Sequence, residues 1–103
     1  VKHLTIVVKP FRAEAVLNVI AESGVELCTV REAKGFGRQK GYLGLYRGGD
    51  FSTAYLPKVE ITVTVKTELA ADLAERVAKA ARTGRIGDGK VFVVPVAWPV
   101  IDI

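Results

Sequence analysis

The chain has 103 residues, half of them apolar and a quarter charged, with a formal net charge of +4. That is one domain, able to bury roughly 60–65% of its unfolded surface in a single core. One cysteine, Cys28, excludes an internal disulfide and a thiolate metal cluster and reads as a small buried hydrophobe. No apolar run nears the ~20 residues of a membrane span, and no signal-peptide pattern is present, so a cytoplasmic chain is expected. The mild basic excess suits nucleotides, phosphates and acidic surfaces, and does not by itself point to nucleic acid.

"KHLTIVV" is β-branched and apolar and predicts a first strand. Pro10 then suits a helix start, where its missing N–H costs nothing. In "RAEAVLNVIAESG", Ala13, Val16, Leu17 and Ile20 form one helical stripe, and Gly24 can close the helix in a left-handed conformation. "VELCTVREAKGF" returns to strand. Residues 37–55, "GRQKGYLGLYRGGDFSTAY", are glycine-rich, of mixed charge and without period. So long a loop in so small a domain is either functional or disordered.

"PKVEITVTVK" alternates, with Val59, Ile61, Val63 and Val65 on one face and Glu60, Thr62, Thr64 and Lys66 on the other. "TELAADLAERVAKAARTG" predicts the clearest helix, with Thr67 as its N-cap. Ala70, Leu73, Ala74, Val77 and Ala81 lie along its apolar face, and Gly84 closes its end. "KVFVVPVAWPV" is the last strand, and Pro95 implies an edge or a bulge.

The order is βαββαβ. Two split βαβ units with right-handed crossovers interleave into a four-stranded antiparallel sheet with both helices on one face, the ferredoxin-like α+β arrangement. The first and third strands are expected at the centre, the second and fourth at the edges. The other face, expected to carry Val7, Val30, Thr62 and Thr64, then needs a cover. Self-association with cyclic symmetry is the economical one, and it places ligand clefts between subunits.

Two glycine-rich stretches are candidate sites. Gly87-Asp88-Gly89-Lys90 can converge backbone amides on an anion, with Lys90 as a point charge for phosphate. It is not a Walker loop, because Val91 stands where that pattern needs a hydroxyl. The same residues also make an ordinary helix-to-strand turn. In "KGFGRQKG", residues 34–41, Arg38 can fork onto phosphate oxygens and Gln39 can offer a metal a neutral oxygen, or the stretch is a solvated loop base. Lys9 and Lys58, beside prolines at strand ends, could simply be solvated. The sole histidine, His3, reads as a sheet residue. No nucleophile–base pair is legible, which argues against an enzyme.

"VVKPF" (7–11), "AKGFGRQKG" (33–41), "LYRG" (45–48), "LPKV" (56–59) and "AARTGRIGDGKVFV" (80–93) resemble, in order and spacing, the blocks of the PII signal transduction proteins. The resemblance runs nearly end to end over a single domain, 1–103. It implies a homotrimer with a T-loop at about 37–55 and a nucleotide-binding B-loop at about 82–90. ATP or ADP would compete for clefts between subunits, and 2-oxoglutarate would bind beside Mg-ATP. The T-loop would dock on a target, commonly an ammonium transporter or a nitrogen-assimilation enzyme, with no nucleic acid and no membrane insertion.

The resemblance assigns Gly87, Asp88, Gly89 and Lys90, with Arg38, to the nucleotide phosphates. Thr29 and Thr64 would lie near adenine, and Gly35 and Gly37 near the nucleotide. Gln39 would ligate Mg²⁺. The amides of Gln39, Lys40 and Gly41, with Lys58, would take the 2-oxoglutarate carboxylates. The chain also departs from the pattern. Phe51 stands at the usual uridylylated tyrosine, so no modification is expected there; Gly49 replaces a serine that some members phosphorylate. Thr62 replaces an often acidic residue facing the ribose, and Ile101 and Ile103 replace two arginines that reach the triphosphate. Losing two charge-assisted contacts of roughly 1.5–3 kcal/mol each implies weaker ATP binding and less preference for ATP over ADP. Other expectations are a PII-like sensor of another small anion serving a different membrane transporter, a slow ATP hydrolase dependent on Lys90, and, last, a nucleic-acid binder, which needs exposed aromatics on the open sheet face.

Overall fold

The computed structural model describes residues 1–25, 27–35, 56–85, 87–97, 101 and 103. Strand β1 spans Lys2–Val8 and is followed by a single 3-10 turn, Pro10–Arg12. Helix α1 is Ala13–Glu22, strand β2 Cys28–Gly35 and strand β3 Leu56–Val65. Helix α2 is Thr67–Ala81, and strand β4 Gly89–Pro95 ends the described sheet.

The sheet order is β2-β3-β1-β4, and every neighbouring pair is antiparallel. β1 and β2 are therefore parallel but separated by β3, and β3 and β4 are parallel but separated by β1. This is the interleaved pair of βαβ units expected from the order of elements, a ferredoxin-like fold with β1 and β3 central.

One face of the sheet packs against both helices. Leu4, Ile6 and Val8 of β1 and Ile61, Val63 and Val65 of β3 meet Val16 and Ile20 of α1 and Ala70, Leu73, Val77 and Ala81 of α2. Each large aliphatic side chain removed from water here contributes about 1.5–3 kcal/mol. The small alanines of α2 let that helix lie close to the strands, and the longer side chains of β1 and β3 fill the layer. Free Cys28 packs half-buried against this core, as its type predicts.

Helix ends follow the sequence in part. Pro10 opens the 3-10 turn, whose Arg12 N–H donates to the Lys9 carbonyl at 2.9 Å. α1 ends as expected, with Gly24 in the left-handed region at φ +76°. Thr67, expected to cap α2, is instead its first helical residue; the capping position is Lys66, in extended conformation and without a side-chain cap. α2 stops because Arg82 swings to an extended conformation, so Gly84, at φ +82°, lies in the turn beyond the helix and does not close it.

The open face carries His3, Thr5 and Val7 from β1 beside Thr64, Thr62 and Glu60 from β3, and Val94, Phe92 and Lys90 from β4. Val30, expected on this face, is not there. It pairs with Ile61 and so points to the helix side, half exposed at the β2 edge. Conversely Phe92, which pairs with Thr5 and is 49% exposed, puts an aromatic ring on a face for which β-branched valines and threonines were expected.

Candidate functional site

The chain between α2 and β4 makes a compact turn around one carboxylate. Asp88 Oδ2 accepts the Thr83 N–H at 2.7 Å and the Gly84 N–H at 3.0 Å. The Thr83 hydroxyl donates to Asp88 Oδ1, and its oxygen accepts the Arg85 N–H at 3.3 Å. Lys9 Nζ, from the end of β1, donates to the same Oδ1 at 3.1 Å, with both side chains more than four-fifths buried. The Thr83 hydroxyl, then the Thr83 N–H, then Lys9 and the Gly84 N–H hold the Asp88 carboxyl well below the usual carboxylate range, against the opposing effect of burial.

The backbone of the turn meets the sheet at glycine. Gly87 and Gly89 both have positive φ, +84° and +134°. A Cβ on Gly89 would stand 1.9 Å from the Val7 carbonyl oxygen, so main chain meets main chain there. Gly89 opens β4, and Lys90 follows it on the open face, exposed and opposite Val7.

Lys58 is the second buried ammonium. It is 8% exposed, and its Nζ donates to the Gly87 carbonyl at 2.6 Å. Burial first, then the nearby charge of Lys9, push its pKa below the ordinary 10.5, while Asp88 partly opposes this. Gly35, at the end of β2, makes room for this side chain: a Cβ there would lie 2.9 Å from Lys58 Cγ and 3.2 Å from Cε. Its lack of a side chain thus serves Lys58.

Two acceptors of the turn, the Gly87 carbonyl and the Asp88 carboxylate, are therefore occupied by the ammonium groups of Lys58 in β3 and of Lys9 just beyond β1. An open cleft of about 270 Å³ adjoins the turn, bounded by Val8, Ala81, Arg82, Asp88, Gly89 and Lys90. Apolar Val8, Ala78, Ala81 and Val91 share its lining with Arg82, Asp88, Gly89 and Lys90, and its volume falls below the about 300–1,000 Å³ usual for drug-sized ligands. Among the described residues, no three His, Cys, Asp or Glu side chains gather as a metal site.

The predicted residues separate into two groups. Gly87, Asp88, Gly89, Lys90, Lys58 and Gly35 lie around the turn. Thr29 lies on β2, where its hydroxyl meets that of Thr62, and the Thr64 hydroxyl and His3 Nδ1 share a 3.3 Å hydrogen bond. Thr29 and Lys90 share the open face but stand on opposite edge strands, three strand spacings or roughly 14 Å apart. One copy of the described chain does not bring them together. Gly37, Arg38, Gln39, Lys40, Gly41 and Phe51 lie outside the described residues. Ile101 and Ile103 are both strongly exposed.

Three participants escaped the sequence reading. Lys9 is not solvated but paired. Thr83 supplies two of the donors to Asp88. Arg12 donates to the Arg82 carbonyl at 3.1 Å, with its guanidinium 5.7 Å from the centre of the Phe11 ring, and so ties the start of α1 to the start of the turn. The mirrored "VKP" and "PK" at strand ends, opposite an aspartate between two glycines, was the available signal for Lys9 and Lys58.

Comparison with known proteins gives a consistent result. The profile of the family described as "Nitrogen regulatory protein P-II" matches residues 1–100. The "Nitrogen regulatory protein P-II" of Azospirillum brasilense is 47% identical over 95 residues, covering 92% of this chain and 85% of that one. The "Nitrogen regulatory protein GlnK" of Escherichia coli is 47% identical over 92 residues, 89% of this chain and 82% of its own. The P-II protein of Mesorhizobium japonicum matches with the same identity and coverage as that GlnK.

Proposed function

The chain belongs to the nitrogen regulatory protein P-II family, and from that premise we propose that it is a sensor of ATP and ADP whose 87–90 turn receives the nucleotide phosphates. The observation that carries this reading is the turn itself. Its backbone is pressed on β1 at a position open only to glycine, its Asp88 carboxylate and Gly87 carbonyl are turned onto Lys9 and Lys58, and Lys90 stands exposed at its exit. A turn so arranged offers an anion amides and a cation without a competing negative group.

Two copies complete the pocket. Thr29 on the edge strand β2, with Thr64 on the central β3 beside it, would face a neighbour's 87–90 turn, since Thr29 and Lys90 stand on opposite edge strands of one sheet. The half-exposed Phe92 and Val94 beside Val7 on the open face give that association apolar area to bury. A closed trimer is the assembly the family resemblance implies, and cyclic symmetry repeats the same contact without leaving an edge.

Lys58, beside the turn, would pair with a carboxylate of 2-oxoglutarate next to Mg-ATP, with Gln39 on the metal and the amides of Gln39, Lys40 and Gly41 on the acid. Nucleotide and acid then bind as linked ligands, since one builds part of the other's site. The segment 37–55 would carry the outcome to a target, such as a membrane transporter or an enzyme of nitrogen metabolism. No helix among the described residues is long and apolar enough to cross a membrane. The chain's role is regulatory, as in its relatives, and Lys90 serves binding.

Calorimetry with ATP, ADP and 2-oxoglutarate, paired with native mass spectrometry, tests this. A trimer that binds adenylates and takes 2-oxoglutarate only with Mg-ATP is expected. A monomer indifferent to millimolar adenylates ends the reading, and adenylate binding with no response to 2-oxoglutarate points to a different small-anion effector.

A further inference from the structure

Resting on that reading, we propose that Lys9 is a positioning residue for nucleotide phosphate binding: through Asp88 it holds the 83–89 backbone in its receiving shape and balances the one negative charge inside the turn, without touching the ligand itself.

The geometry separates local from distant support. Three of the donors to Asp88, the Thr83 N–H, the Thr83 hydroxyl and the Gly84 N–H, come from the turn's own residues. They close the turn on itself but do not fix it to the sheet. The fixing contacts to side chains come from elsewhere: Lys9, 79 residues away, grips Asp88, and Lys58, 29 residues away, grips Gly87. Lys9 is itself held, because its carbonyl accepts the Arg12 N–H in the 3-10 turn that Pro10 opens.

Charge gives the second argument. Asp88 sits between Gly87 and Gly89, where a phosphate chain has to come closest to backbone. An unbalanced carboxylate there repels the ligand across a poorly solvated gap. Lys9 Nζ at 3.1 Å, 14% exposed on its side-chain surface, cancels that charge from the side away from solvent. Asp88 is thus the organiser of the turn, its two oxygens committed to intramolecular donors. Lys90, exposed on the strand beyond, is a cation free of the Asp88 pairing and open to the ligand.

The test compares ADP with adenosine on the assembled protein, using Lys9→Met, Asp88→Asn and the double variant, with thermal melting as a control for folding. Lys9→Met is expected to lower ADP affinity about tenfold or more, as does removing one partner of a buried charge pair at an interface. Adenosine, which lacks phosphates, is expected to keep its affinity within about twofold, a split that general loosening of the fold does not produce. The double variant is expected to lose much less than the two single losses combined, because the lysine acts through the carboxylate.

Unchanged ADP affinity in Lys9→Met overturns the proposal. So do equal losses for ADP and adenosine, or losses that simply add. Should Lys9→Met not fold, Lys9→Gln, which keeps a hydrogen-bond donor without the charge, takes its place: the same split between ADP and adenosine supports the proposal, and its absence overturns it. If the unmodified protein binds no adenylate, the failure lies with the proposed function and not with Lys9.

Discussion

The Lys58 ammonium and the Gly87 carbonyl are joined by a 2.6 Å hydrogen bond that links the start of β3 to the turn before β4. Lys58 belongs to the expected 2-oxoglutarate site and Gly87 to the expected phosphate site, so one bond spans both. An ammonium carries three protons and can serve a carboxylate and this carbonyl together.

At the proposed 2-oxoglutarate site, Lys58 is expected to make the affinity depend on pH. Its pKa in the folded, ligand-free protein lies below 10.5, and a carboxylate placed beside it raises that value. Between the two values binding takes up a proton, so affinity for 2-oxoglutarate is expected to fall as the solution is made alkaline, beginning below the pH at which free lysine titrates. The same lowered pKa means that folding is mildly opposed while Lys58 is charged, and that this opposition eases as pH rises toward 10.5. Calorimetry from neutral to alkaline pH checks the first point: Lys58→Met is expected to lose most of the binding and with it the slope.

Asp88 contributes to acid sensitivity. Its carboxyl titrates far lower when folded than the ordinary 3.8, so its stabilising effect is fully present above that value and fades as pH drops below it. Asp88→Asn is expected to be less stable than the parent at neutral pH and to lose less on acidification. Urea unfolding at neutral pH and in acid measures the difference; parallel losses in the two proteins would remove Asp88 from the account.

Gly89→Ala is expected to be the most damaging single substitution in the turn. The added methyl carbon would sit 1.9 Å from the Val7 oxygen, at a φ of +134° that alanine rarely adopts. Relief requires β4 to move off β1, and the clash and backbone strain together exceed the 1–3 kcal/mol or so typical of strain alone. Gly84→Ala, with nothing within 4 Å of its Cβ, is expected to cost only about 1 kcal/mol, from its φ of +82°. Thermal unfolding of the pair distinguishes steric from conformational demand.

Ile101 and Ile103 are 85% exposed and fully exposed, respectively, and neither can form a charge-assisted contact with a triphosphate. Replacing both by arginine is expected to raise ATP affinity by about tenfold or more and ADP affinity by less, at roughly 1.5–3 kcal/mol per new charged hydrogen bond. Competition between ATP and ADP on the double variant is the measurement, and an unchanged ratio would count against the assignment of these positions.

The sequence was most readable where one side chain per residue alternates between core and solvent. β3 shows this: Val59, Ile61, Val63 and Val65 fall on the helix side as the period-two pattern demands. β2 was harder, because "CTVREAKG" has weak alternation and Val30 takes its direction from pairing with Ile61, a partner 31 positions away that no local pattern reveals. Phe92 was assigned to a strand but not to a face for the same reason. The glycine positions of the turn were legible, since only glycine tolerates such φ values. The Lys9–Asp88 and Lys58–Gly87 bonds were not, because each joins chain segments that meet only after the sheet has formed. The cap of α2 differs by one residue, from Thr67 to Lys66, which a residue's preference alone does not resolve.

Thr29 and Lys90 on opposite sheet edges have a genetic consequence. On the shared pocket proposed above, complementation is expected: subunits crippled at Lys90 and subunits crippled on the β2 edge, each unable to bind when pure, would regenerate some intact pockets when co-assembled. Alleles of the two kinds would rescue one another in a mixed population of chains, whereas two alleles of the same kind would not.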